Sequence, residues 1–242
     1  MRALPRPLVR AAVGLAAVAT VIGVSASPAA ADNTYHPAES DFADCPAKPA
    51  DAQGTWTCYV MTTVGGVVRL DKMSANLTAP WRLTVAQGQV TGGAKIAKVG
   101  GLSADPVPFV SGVPGTPFVT PHPTGWKLQP YATGHVTPGL TIPASVGVKI
   151  RIIGTGLGET CYVGGDTTPI VIKPKVSWWL PWLFDATPMI KTQVYDDVYS
   201  LGAASGCSNA ATTFTVNTLI GLPANATSNY AQFQWALRHK TY

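Results

Sequence analysis

Charge is scarce in this chain. Asp, Glu, Lys and Arg make up 12% of its 242 residues, about half the usual share in soluble domains. Its surface must therefore be built largely from Thr, Ser, Gly, Asn and Gln. No basic run of five or more residues occurs, and the net charge of +5 overstates the basic excess. Three of the 17 basic residues, Arg2, Arg6 and Arg10, lie in an N-terminal segment expected to be cleaved. All 12 acids lie beyond it, so the remainder carries 14 basic against 12 acidic residues. That excludes nucleic acid as an expected partner. Beyond residue 31, no apolar run reaches the roughly 18 residues that a spanning helix needs.

The signatures of common chemistries are missing as well. There is no Gly-x-Ser-x-Gly elbow and no HExxH, and His36, His122, His135 and His239 are scattered singly. The four cysteines form no CxxC pair, so a zinc site is not expected. Gly154, Gly156 and Gly158 lack the third glycine, following helix and setting of a dinucleotide fingerprint, and read as a bulge or tight turn. Asp196 and Asp197 lack the ligand spacing of a calcium loop and read as a solvated turn. No catalytic residue, metal or cofactor is nominated.

What the chain does have begins with its first 31 residues. A basic start, an apolar Ala11–Ala26 and the small residues Ala29–Ala31 before Asp32 make a secretory signal peptide, leaving 32–242 as one exported domain. Apolar residues make up 46% of the chain, with 21 prolines and 24 glycines. That composition predicts short strands joined by many turns, and enough core to fold. The clearest strand signal lies in Val146–Lys173. Val146, Val148, Ile150 and Ile152 alternate with Gly147, Lys149 and Arg151, and a second apolar arm follows at Pro169–Ile172. Period two means one buried and one wet face, so these arms are expected to pair and to form the centre of the fold. Thr57–Thr63 and Val67–Leu70 flank Val64-Gly65-Gly66 as a hairpin would. The proline-rich run Asp105–Pro123 is expected as an edge or long connection, because proline lacks the ladder N–H. Ala210–Leu219 suits a short helix or a strand. Tyr230–Leu237 closes the chain as a strand with Phe233, Trp235 and Leu237 on one face. The expected class is all-β, a two-sheet antiparallel sandwich first and a closed barrel second.

Four cysteines in an exported chain read as two disulfides with three pairings. Cys45 with Cys58 and Cys161 with Cys207 is the simplest, since neither bridge crosses the other.

One cluster stands out as a candidate binding site: Trp178, Trp179, Trp182 and Phe184 in SWWLPWLF. Adjacent tryptophans on a strand face opposite sides, so at least one should leave the core. Lys173, Lys175 and Lys191 flank them. Such a strip could stack on sugar rings, sit at lipid headgroups or contact another protein. Alternatively the segment folds back and plugs one end of the sheets, and Cys161–Cys207 would then hold it in place.

Cys45-Pro46, the TCYV at 57–60, GETCYVGGDTTPIVI at 158–172, Cys207, and GLP at 221–223 followed by Asn229 come in a recognisable order. In this the chain resembles a family of uncharacterised secreted proteins of high-GC Gram-positive bacteria, departing from it in the Trp-rich stretch. The resemblance covers most of 40–235. It implies the same cysteine pairing and an extracellular location, and no activity. The expectation is a secreted, non-enzymatic, extracellular or cell-envelope protein that binds a cell-wall glycan, a membrane surface or another protein through its aromatic strip. An accessory protein without a small ligand is the alternative, and a hydrolase with a spatially assembled site is the third.

Overall fold

In the computed structural model the residues described are 39–114, 116, 118–140, 142–182 and 189–242. The signal-peptide reading of 1–31 and Phe184 lie outside them. After a short 3-10 helix at Glu39–Asp44 come β1 (Ala52–Leu70), β2 (Met73–Asn76), β3 (Trp81–Val90), β4 (Lys95–Ala104), β5 (Val107–Gly112), β6 (Val119–Pro121) and β7 (Lys127–Thr137). The second half has β8 (Ser145–Ile153), β9 (Tyr162–Val163), β10 (Ile170–Ile172), β11 (Lys175–Trp182), β12 (Met189–Asp196), β13 (Ala204–Ser205), the helix α1 (Ala210–Ile220) and β14 (Tyr230–Thr241). The protein is mostly antiparallel β, as expected. Hydrogen bonds link all fourteen strands into one sheet, ordered β11-β12-β14-β1-β2-β5-β7-β8-β9-β13, with β3–β4, β6 and β10 branching from it.

Strand β1 is the hub. Along one edge it pairs with β14 from Thr57↔Thr241 to Arg69↔Tyr230. Along the other it pairs first with β3, over Ala52–Thr62, and then with β2, over Val67–Leu70. The change of partner happens at Val64-Gly65-Gly66. These residues are a bulge within one 19-residue strand, which corrects the hairpin expected there. Gly66 has φ 153°, and a Cβ on it would lie 2.3 Å from the carbonyl oxygen of Gln232. Only glycine lets the two backbones approach this closely.

The stretch Val146–Lys173 supplies β8, β9 and β10, and its arms pair as expected, Ile170↔Val148 and Ile172↔Val146. It flanks the fold and does not organise it. The proline-rich run contributes β5 and β6, with Val110 opposite Pro121. The segment 210–220 is a helix despite four threonines and a valine, because its ends are capped. Asn209 Oδ1 accepts the Thr212 amide at 2.8 Å, and Gly221, at φ 89°, returns its amide to the Asn217 carbonyl.

The core falls into clusters. The larger gathers Val68, Met73, Trp81, Phe109, Leu128, Ile152, Val163 and Ile220. A second gathers Met61, Leu83, Val146, Val194, Trp235 and Leu237. Val148 and Phe233, both half-buried, pack against both. A third lies on the opposite face of β1, where Phe42 covers Trp56, Cys58 and Val60. With both faces of β1 covered, its burial departs from simple alternation. The bridges are Cys45–Cys58 and Cys161–Cys207, as the simplest pairing had it.

Candidate functional site: an aromatic and cationic sheet face

Among the residues nominated from the sequence, Trp178 is 40% exposed. Its indole Nε1–H donates to Gln193 Oε1 at 2.7 Å, so the ring is tied to its cross-strand neighbour on β12. Trp179 and Trp182 pair through their backbones with Thr192 and Met189. β11 ends the sheet order, so Pro181 needs no ladder partner on its outer side. The segment is therefore an edge strand held by β12, with a bulge between Val176 and Trp178, and not a loop held by Cys161–Cys207. Lys173, at the end of the β10 connection, is exposed and donates its amide to Asp196 Oδ2 at 2.7 Å.

Register shows what Trp178 shares its face with. Phe233, Trp235 and Leu237 of β14 point into the core, and so do Ile190, Thr192 and Val194 opposite them. The alternate positions form the outer face. Trp178, Gln193 and Gln234 lie across it in one row, and Lys175, Tyr195 and Gln232 make the next row. In the other direction come Lys191 opposite Ala236, then Arg238, then Lys240. Gln234 and Lys240, six residues apart, are separated by about 20 Å of strand. A small buried apolar patch of Val64, Met189 and Ala236 lies midway.

At the far end this face meets the 3-10 helix. The Arg238 guanidinium lies 5.3 Å and the Lys240 ammonium 5.9 Å from the Phe42 ring centre, both within cation–π range. Phe42, Cys45, Pro46, Lys48, Lys240 and Tyr242 line an open cleft of about 280 Å³. Tyr242 is fixed there by donating its hydroxyl to the Pro46 carbonyl at 2.6 Å, and Lys48 Nζ donates to the Gly54 carbonyl. The Cys45–Cys58 bridge ties the cleft's wall to β1.

Arg82 holds Asp41 at 2.8 Å and Asp44 at 3.0 Å. Asp197 receives Lys175 Nζ at 2.6 Å. That hydrogen bond holds the Asp197 carboxyl below its ordinary range and raises the Lys175 ammonium above its own. Lys175 also lies 5.6 Å from the Tyr195 ring centre. The face thus alternates rings and cations, an arrangement that can stack on flat rings and pair with negatively charged groups.

Elsewhere the expectations from sequence divide. Asp196 is buried, accepting the amides of Lys173 and Val198, so it anchors a turn and is not solvated. The His122 ring faces the Thr124 hydroxyl at 3.0 Å and accepts the Thr124 amide at 3.3 Å, while its backbone bonds to Phe109 and Gly125. Among the described residues no three His, Cys, Asp or Glu side chains are placed to hold a metal, and no helix is long and apolar enough to cross a membrane. The contributions of Phe42, Lys48, Arg238, Lys240 and Tyr242 had no signal in the sequence, because residues almost 200 positions apart build the cleft. No protein-family model, curated protein or solved structure matches this chain.

Proposed function

We propose that this is an extracellular, non-catalytic binding protein that holds an acidic glycan along its outer sheet face. The observation that carries this reading is that Trp178, Lys191, Arg238 and Lys240 fall on one face of β11, β12 and β14, ending at the Phe42–Tyr242 cleft. Sugar rings stack on aromatic faces, and carboxylate or phosphate groups pair with Lys and Arg. A tethered indole loses little freedom when a ring settles on it. The two disulfides suit an oxidising compartment, and the basic-apolar-small start of the chain supports export.

The test is retention on immobilised polygalacturonate, with neutral dextran as control. Wild type is expected to bind the acidic matrix only and to elute with salt, since exposed charge pairs are screened. Trp178→Ala and the Lys48→Ala/Lys240→Ala pair should each weaken binding several-fold with an unchanged melting temperature. Equal retention on dextran would remove the role of charge. Binding to anionic vesicles but to neither polysaccharide would make lipid headgroups the ligand. Retention on none of the three would leave an accessory protein without a ligand on this face.

A further inference from the structure

A cavity of about 90 Å³ lies where the two inner core clusters fail to merge. Met61, Trp81, Leu83, Val148, Phe233 and Trp235 form much of its wall. The rings make a continuous side: Phe233 stacks on Trp235 at 5.9 Å between centroids, and Trp81 leans on Phe233 at 6.3 Å. Native interiors rarely keep voids larger than a water molecule, so a space of this size in the middle of a sheet protein calls for an occupant.

Water is a poor one. It needs two to four polar partners, and three of the few polar groups of the lining are already committed. Thr63 Oγ1 accepts the Trp81 amide at 2.7 Å, Trp81 Nε1–H donates to the Asp105 carbonyl at 3.2 Å, and the Tyr199 hydroxyl donates to the Arg69 carbonyl at 2.8 Å. The remaining lining is aliphatic, aromatic or proline, and the Trp235 indole N–H is its one further side-chain donor, too few partners for a water. A roomy site with so little polar to offer stays dry and takes hydrocarbon.

We infer that this cavity is a binding site for a small apolar group. The shared chemistry is hydrocarbon, and it has two sources: a free small molecule, or the methyl end of an acyl chain whose remainder leaves past half-buried Ile172 and Pro174 on the β10–β11 side. This site is independent of the outer face, so either reading can fail without the other.

The experiment follows the methyl resonances of Met61 and Leu83, and the fluorescence of Trp81 and Trp235, while the intact protein is titrated with xenon, benzene and decanoate. The expected result is saturable shifts confined to the lining, half-complete below about 1 mM. Val148→Phe should fill the space and abolish them. Leu83→Ala should enlarge it and favour benzene over xenon. Competition between decanoate and benzene would assign the acyl chain end; binding of xenon and benzene without decanoate would assign a free small hydrocarbon. If neither wild type nor Leu83→Ala shows saturable shifts with any of the three, the inference is overturned. It is equally overturned if folded Val148→Phe binds as well as wild type.

Discussion

Asn229 Oδ1 accepts the backbone amide of Asp71 at 3.0 Å, across 158 residues of sequence. Asp71 stands at φ 49°, the one non-glycine residue with positive φ among those described, in the turn from β1 to β2. The Asn229 amide nitrogen donates to the carbonyls of Tyr199 at 2.7 Å and Asn225 at 2.9 Å, and the side chain is buried. One amide group thus satisfies three backbone groups from three segments. Asn229→Ala strands all three, and a loss of about 3 kcal/mol is expected. Asn229→Asp should be worse, because a carboxylate oxygen would then face two carbonyls. Chemical denaturation of both variants checks the order.

The two bridges should differ in weight. In the loop-entropy picture, Cys45–Cys58, spanning 13 residues, contributes about 3 kcal/mol and Cys161–Cys207, spanning 46, about 4 kcal/mol. Separate double replacements by serine should each lower the denaturation midpoint, the second more. A midpoint unmoved by dithiothreitol would contradict both bridges.

Alkaline stability should be limited by Tyr199. Burial pushes its phenol far above the usual value near 10. A group whose folded pKa is raised stabilises the fold fully below its unfolded pKa and loses that contribution as pH climbs toward the folded one. Melting temperature should therefore fall from about pH 10 upward. Tyr199→Phe should flatten that fall, at a cost of about 1 kcal/mol at neutral pH for the lost bond to the Arg69 carbonyl. A fall just as steep in the variant would clear Tyr199.

Gly66→Ala tests the bulge. It adds a Cβ against Gln232 O and asks an L residue to hold φ 153°. About 3 kcal/mol should be lost, and amide exchange should quicken at the β1–β14 register around Gln232 and Phe233.

Much of the β pattern could be read from the chain. The arms of β8 and β10, and the core face of β14, announce themselves through period two, because each buries one face only. β1 hid for the opposite reason: Met61 is buried on one side and Trp56, Cys58 and Val60 on the other, so its residues do not alternate. Its glycines looked like a turn because the sequence cannot tell a bulge from a hairpin. The helix was ambiguous because threonine and valine disfavour it, and the caps at Asn209 and Gly221 decided the matter. Of the candidate site, Trp178 was legible from the adjacent tryptophans. Its companions were not, since only strand order puts β11 two places from β14 and brings Phe42 beneath Arg238 and Lys240.

The union of β1 with β14 has a consequence for how the chain reaches this state. The strand at the heart of the sheet lies near the front of the described chain, and its longest partner, β14, is the last of the described strands to be synthesised. Until then one edge of β1 has no neighbour along most of its length. That contact has a very high sequence separation, the kind that slows assembly, so β1 can pair early with β3 and β2 but completes its other edge only when β14 arrives.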